Sequence, residues 1–223
     1  MGQLEGVLWD MDGTSTDSAP TWRAAILVAA EELGINWDRS DQEAIHGHGM
    51  WAVAARFRSK GVRIEDISIV ALIERHATEL ARSFVPVWLP GVQEILRTCA
   101  EAGIRCGLVT MTGRTAADAI LEKLDPTLFE VIISGSDVSR PKPDPEPYMK
   151  GIEALGVSPR SCLAIEDSFV GVNSAVAAGL TTIVVNAPQS LSLSQDVIRW
   201  TTLQGKTVED LRQVHSSALA LKG

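Results

Sequence analysis

Two aspartates separated by one residue form the first group in the sequence that could do chemistry. Asp10 and Asp12 stand in the run Asp10-Met11-Asp12-Gly13-Thr14, directly after the apolar segment Gly-Val-Leu-Trp. Because strand side chains alternate with a period of two, both carboxylates can point the same way at a strand end. There they could serve as a nucleophile and an acid/base pair. Asp and Gly are also common turn formers, so this run alone is as compatible with a turn as with a site.

Three later segments supply groups that phosphate chemistry needs. Thr110 ends an apolar run and offers a hydroxyl, Lys142 offers a positive charge, and Glu166 and Asp167 offer carboxylates. Taken singly, these are better explained by a strand-end hydroxyl, a solvated loop lysine and a helix cap. Together with the aspartate pair, however, they follow four successive predicted strands, and α/β sheets bind ligands at the carboxyl ends of their strands. The spacing therefore favours one common site.

The elements that must position these groups alternate between strand and helix. Runs rich in β-branched residues predict strands at about 6–10, 104–110, 130–134, 162–166 and 181–185. Apolar residues spaced three and four positions apart predict helices at 91–102, 115–123, about 145–155 and 168–178. The strands are almost continuously hydrophobic, which is typical of a parallel sheet covered on both faces. The pattern predicts a doubly wound α/β fold.

The segment from 18 to 85 interrupts this alternation. It has helical periodicity and alanine-rich stretches but no convincing strand. We therefore predict an α/β core formed by 1–17 and 86–223, with an all-helical domain, 18–85, inserted after the first strand. The final stretch, about 207–221, is predicted to be a surface helix capped by Thr207.

Charge and composition narrow the function further. The 223 residues carry 20 Lys and Arg against 28 Asp and Glu, a net charge of −8, which disfavours nucleic acid as a partner. No targeting segment and no apolar run long enough for a bilayer is evident, so we expect no membrane partner and a cytoplasmic location. Three scattered cysteines indicate reduced thiols. We expect a monomer or a weak homodimer.

The order of these motifs resembles the haloacid dehalogenase superfamily of phosphotransferases. Its signature is D-x-D-G-T, then a Thr or Ser, then a Lys, then an acidic pair. Within it, three runs are similar to the subgroup that contains phosphoglycolate phosphatase and β-phosphoglucomutase: Leu89-Pro90-Gly91-Val92, Lys142-Pro143-x-Pro145-x-x-Tyr148 and Glu166-Asp167-Ser168-x-x-Gly171. The resemblance covers about 4 to 186. It implies a Rossmann-like core and a helical cap domain.

The resemblance also implies a role for each motif. Asp10 would attack phosphorus to form an aspartyl-phosphate, and Asp12 would protonate the leaving oxygen and then activate water. Mg²⁺ would be held by Asp10, the backbone carbonyl of Asp12 and Asp167, with Glu166 as a ligand or as a partner of the ligands. Lys142 would neutralise both the phosphate and the nucleophile. Thr110 would bind phosphate oxygens together with neighbouring groups, which are Gly13, Thr14, Met111 and Thr112.

Three residues of the helical segment are candidates for substrate specificity. His46, His48 and Arg56 lie in or near a glycine-containing stretch that contacts substrate in the resembling enzymes. They are about as compatible with ordinary surface positions that have no role in substrate binding.

The resulting prediction is a Mg²⁺-dependent phosphatase that acts on a small phosphorylated metabolite such as a sugar phosphate or a phosphoglycolate-like compound. Asp12 disfavours dehalogenase chemistry, because a halide leaving group needs no proton. Two alternatives stay open. A sugar phosphomutase of the β-phosphoglucomutase type would share every core residue, and a non-catalytic phosphate-binding protein could have the same fold.

Overall fold

The structure, a computed structural model, describes residues 3–45, 49–83, 86–187 and 197–221. His46 and His48, two of the candidate specificity residues, lie outside the described residues. In the part of the chain that is described, no helix combines the length and the apolar character needed to cross a membrane.

A six-stranded parallel sheet forms the centre of the fold. Its strands are β1 (Gly6–Trp9), β2 (Arg105–Val109), β3 (Val131–Ile133), β4 (Cys162–Glu166), β5 (Thr181–Val184) and β6 (Val197–Arg199). Their order is β3-β2-β1-β4-β5-β6, and every neighbouring pair is parallel. The first five strands confirm the sequence prediction with slightly shorter bounds. The sixth was not predicted.

Among the described residues, five α-helices lie between β1 and β2 in the chain, and we call the first four of them the helical insertion. They are α1 (Ala19–Glu32), α2 (Arg39–Ile45), α3 (Met50–Ser59) and α4 (Asp66–Ser83). Their inward faces share a hydrophobic cluster of their own, in which Ile26, Phe57 and Ile73 are buried. The insertion therefore buries apolar surface independently of the sheet.

Five more helices cover the two faces of the sheet: α5 (Val92–Glu101), α6 (Arg114–Leu121), α7 (Glu146–Leu155), α8 (Phe169–Ala177) and α9 (Val208–Leu221). Along β1, Val7 and Trp9 pack in the cluster that includes residues of α5, α6 and α9, whereas Leu8 packs in the opposite cluster with residues of α7 and α8. Burial on both faces explains why the central strands are almost continuously apolar. The predicted doubly wound α/β fold is confirmed.

The fold places the predicted site at one edge of the sheet. The strands that end before Asp10, Thr110 and Asp167 are β1, β2 and β4, which are direct neighbours. Because all strands run in the same direction, their carboxyl ends lie side by side.

Candidate functional site

A single ammonium group links three strands at the carboxyl edge of the sheet. The Lys142 Nζ donates to Asp10 Oδ1 at 2.7 Å, to Glu166 Oε1 at 2.6 Å and to the carbonyl of Val109 at 2.9 Å. These acceptors follow or end β1, β4 and β2. All three charged side chains are buried, so the ion pairs are largely shielded from water.

Burial and charge shift the pKa values of this group. Burial raises the pKa of Asp10 to about 7, with the Glu166 charge adding to the shift and Lys142 opposing it. Burial also disfavours the charged form of Lys142, but the Asp10 and Glu166 carboxylates outweigh it and hold the pKa of that amine above its ordinary value. The site contains more negative charge than one lysine neutralises.

Glu166 is held from several sides. The buried Tyr148 hydroxyl donates to Oε1 at 2.8 Å, and the Ser168 hydroxyl donates to Oε2 at 3.1 Å. A Cβ at Gly171 would lie only 1.9 Å from Oε1, so glycine in the first turn of α8 leaves the space that this carboxylate fills. The sequence analysis placed Tyr148 in a motif but gave it no role. The sequence signal for this contact was the spacing of Tyr148 from Lys142 within their shared motif.

Asp10, Glu166 and Asp167 form a group that could hold a metal ion, because each offers a carboxylate oxygen within 4.8 Å of the others. Burial, and then the Asp10 and Glu166 charges, raise the pKa of Asp167 well above its ordinary value. No donor among the described residues is bonded to either oxygen of Asp167. The excess of negative charge and these open oxygens suit a hard divalent cation.

Gly13 allows Asp167 to approach the loop after β1. Its φ of 85° lies in the left-handed region, and a Cβ there would lie 2.2 Å from Asp167 Oδ2. The Asn186 side chain donates to the Gly13 carbonyl at 3.1 Å and holds the loop from β5. The Asp167 carboxylate therefore packs directly against the backbone that follows Asp12.

The Asp12 carboxylate binds a different set of partners from Asp10. Its Oδ1 accepts hydrogen bonds from the Ser18 hydroxyl at 2.5 Å and from Trp22 Nε1 at 2.8 Å. Its Oδ2 accepts from the hydroxyls of Thr112 at 2.7 Å and Thr110 at 3.1 Å. The four donors come from both the loop after β2 and the start of the helical insertion, so they fix the position of this carboxylate between the two. Neither Ser18 nor Trp22 was predicted to bind Asp12.

The remaining predicted phosphate-binding residues line the same loops. Thr14 is fully buried, and its hydroxyl has no partner among the described residues. The Met111 sulfur accepts the Lys142 backbone N–H at 3.2 Å, which ties the loop after β2 to the lysine segment. Thr112 N donates to the Thr110 hydroxyl at 3.0 Å.

Arg56 lies in an ion cluster within the helical insertion. Its Nε donates to the buried Asp41 at 2.7 Å, and Lys60 binds the other oxygen of that carboxylate. Burial by itself would raise the pKa of Asp41, but Lys60, the Asp38 N–H and Arg56 outweigh it and lower the pKa to about 2. The structure thus brings Asp10, Asp12, Thr110, Lys142, Glu166 and Asp167 together and places the Arg56 guanidinium on Asp41.

Residues 7–185 match the family model of the haloacid dehalogenase-like hydrolases. The chain belongs to this family. It is 31% identical over 194 residues to protein CbbY of Rhodobacter capsulatus, a match that covers 82% of this chain and 85% of the relative. It is also 31% identical over 192 residues to hexitol phosphatase A of Escherichia coli K12, covering 83% of this chain and 85% of that protein. The resemblance inferred from the motifs and the prediction of a hydrolase are confirmed.

Solved structures agree on the fold. The crystal structure of β-phosphoglucomutase from Clostridium difficile superposes with a TM-score of 0.81 at 20% identity and covers 98% of this chain and 100% of the mutase. At this identity the comparison supports the architecture alone.

Proposed function

We propose that this protein is a Mg²⁺-dependent phosphatase that hydrolyses a small phosphorylated metabolite through an aspartyl-phosphate. The observation that carries the proposal is the buried Asp10–Lys142–Glu166 ion network beside Asp167. A carboxylate nucleophile cannot approach a phosphate dianion without nearby positive charge, and this network supplies one cation and an acidic set suited to a second.

Asp10 is the nucleophile in this mechanism. Its Oδ1 is bonded to Lys142, which leaves Oδ2 to attack phosphorus while the bond from phosphorus to the leaving oxygen breaks. When bound to Asp10, Asp167 and the backbone carbonyl of Asp12, Mg²⁺ would neutralise charge on the phosphoryl oxygens. Glu166 anchors Lys142 and Tyr148 and acts as a partner of these ligands.

Asp12 is the acid/base group. Once protonated, it gives its proton to the leaving oxygen, and as a carboxylate it then takes a proton from the water that attacks the aspartyl-phosphate. That attack breaks the bond between phosphorus and Asp10 and releases inorganic phosphate. The four donors on Asp12 hold its carboxylate in place for both steps, and three of them are hydroxyls, which can also accept a proton-donating bond from Asp12 by rotating.

Phosphate oxygens bind to the loops around this pair. Lys142 supplies charge, and the hydroxyl of Thr110 and the backbone N–H groups near it supply hydrogen bonds. The groups we assign to this role are Gly13, Thr14, Thr110, Met111, Thr112 and Lys142.

We further propose that 18–85 acts as a cap domain over the core formed by 1–17 and 86–223. The bonds from Ser18 and Trp22 to Asp12 connect the helical insertion to the acid/base residue. Closure would exclude water from the leaving group. His46, His48 and Arg56 remain candidates for specificity, and Arg56 would first have to leave Asp41.

The test is phosphate release from p-nitrophenyl phosphate and a panel of polyol, sugar, glycolate and nucleotide monophosphates, with Mg²⁺ and with EDTA. We expect Mg²⁺-dependent release that peaks on one compound class. Asp10→Asn should abolish turnover without changing the circular dichroism spectrum, and Asp167→Asn should raise the Mg²⁺ concentration needed for activity. Asp118→Asn, an exposed aspartate of α6, is the matched control and should retain wild-type rates.

Two outcomes would contradict the proposal. Near-normal turnover by Asp10→Asn would exclude it as the nucleophile. Isomerisation of a hexose 1-phosphate that requires a bisphosphate, with no phosphate release, would identify a phosphomutase.

A further inference from the structure

Glu74 of the helical insertion reaches the loop that supports the acid/base residue. Its Oε1 accepts the backbone N–H of Gly113 at 3.3 Å. The preceding residue, Thr112, donates its hydroxyl to Asp12 Oδ2. A Cβ at Gly113 would lie 2.9 Å from Glu74 Oε2, so the carboxylate packs directly against the backbone of this loop. Glu74 is therefore separated from Asp12 by two adjacent residues of one loop.

The position of Asp12 indicates where the body of a substrate must lie. Asp12 has to reach the leaving oxygen, so the group attached to that oxygen extends past Asp12, away from the Asp10–Lys142 pair. The other partners of Asp12, Ser18 and Trp22, belong to the helical insertion. A leaving group that extends past Asp12 in this direction would lie between the loop after β2 and the insertion, where Glu74 meets Gly113.

We propose that Glu74 makes this site select monophosphate esters whose far end carries neutral hydroxyl groups, and reject esters that carry a second phosphate. This inference rests on the proposed phosphatase function and specifies its substrate class. A carboxylate accepts hydrogen bonds from hydroxyl groups and repels a phosphate dianion. Among the described residues, no donor is bonded to Oε2, so this oxygen has the capacity to accept a substrate hydroxyl.

The cations nearest this loop in sequence do not offset the charge of Glu74. Gly113 has no side chain, and the Arg114 guanidinium binds Asp137 at 2.7 Å and the Ile132 carbonyl at 2.8 Å on the core side. Within the insertion, Arg56 and Lys60 both bind the buried Asp41.

Partial burial of Glu74 strengthens its discrimination against a second phosphate. Glu74 is half-buried, and this burial raises its pKa, with the Gly113 N–H opposing the shift. Water screens a half-buried charge less than an exposed one, so its repulsion of a second anion is correspondingly larger.

The experiment compares kcat/KM for a hexitol 6-phosphate and a hexose 1,6-bisphosphate in the Mg²⁺-loaded enzyme. Glu74→Gln removes the charge and keeps an acceptor for Gly113. We expect it to raise the ratio of the bisphosphate kcat/KM to the monophosphate kcat/KM about tenfold. Glu74→Ala, the second variant, should shift this ratio in the same direction. Glu79→Gln removes an exposed charge from the same helix and should leave the ratio within about twofold of wild type.

Hydrolysis of p-nitrophenyl phosphate by the wild type separates failure of this inference from failure of the proposed function. If the wild type hydrolyses it, but the ratio stays within twofold of wild type in both Glu74 variants, the role of Glu74 is refuted and the phosphatase stands. A tenfold wild-type preference for the bisphosphate also refutes that role. If the wild type hydrolyses no phosphate monoester, the proposed function and this inference fall together.

Discussion

Replacing Gly171 by alanine separates helix propensity from steric fit. Gly171 lies in the first turn of α8, and alanine is the better helix former by about 1 kcal/mol. Propensity alone therefore predicts a more stable protein. The new Cβ, however, would lie 1.9 Å from Glu166 Oε1 and 2.1 Å from Oε2. Ordinary contacts are about 3.5 Å, so either the carboxylate or the helix must move.

The magnitude follows from what Glu166 would lose. Displacing its carboxylate weakens the bonds from Lys142 Nζ and the Tyr148 hydroxyl. Hydrogen bonds to charged groups contribute about 1.5–3 kcal/mol each, which exceeds the gain in helix propensity. We expect Gly171→Ala to lower the free energy of unfolding by about 2–4 kcal/mol. Urea denaturation followed by circular dichroism measures this difference, and p-nitrophenyl phosphate turnover should fall as well.

A double-mutant cycle identifies the cause. In a Glu166→Ala background the obstructing carboxylate is gone, so Gly171→Ala should be neutral or stabilise by up to about 1 kcal/mol. An equal loss in both backgrounds would show that Glu166 is not the obstacle. A Gly171→Ala protein as stable as wild type would refute the steric argument altogether.

Two further predictions concern buried charges. Tyr148→Phe removes a buried donor to Glu166 and should lower the free energy of unfolding in urea by about 1.5–3 kcal/mol, whereas a loss below about 0.5 kcal/mol would contradict this bond. Asp41→Asn removes the negative charge that pairs with Arg56 and Lys60 and should destabilise by about 1–3 kcal/mol, less than for a fully buried pair because the Arg56 side chain is 37% exposed. Because folding lowers the pKa of Asp41 from 3.8 to about 2, its stabilisation is complete above pH 3.8 and is lost as the pH falls towards 2. Thermal melts should therefore show the difference between wild type and Asp41→Asn shrinking over that range, and a constant difference would be evidence against the ion cluster.

Five strands and most of the site motifs were predictable because their signals are local. Each predicted strand is a run of mostly apolar residues, and Asp10, Thr110 and Asp167 stand directly after three of them. Thr207 likewise begins the last helix as predicted, bonding Asp210 Oδ2 through its hydroxyl at 2.8 Å. By contrast, β6, Val197–Arg199, has two apolar residues followed by an arginine, and its strand character depends on pairing with β5.

The structure places Asp10 and Asp12 beyond the end of β1. β1 ends at Trp9, so the period of two no longer applies across these residues, and a tight loop turns the two carboxylates to different partners. The sequence likewise singled out Arg56 as a charge near a glycine-containing loop. It could not reveal that Asp41, 15 residues earlier, would bind it.

Residue types and their order along the chain were enough to establish the family, the α/β architecture and the class of chemistry, because each motif is contained in a few consecutive residues. The pairing of charges was decided by tertiary structure. Lys142 reaches Asp10 across 132 residues, Thr112 reaches Asp12 across 100, and Glu74 meets Gly113 across 39. These contacts exist only because parallel strands place distant segments at one edge of the sheet and the helical insertion packs beside them.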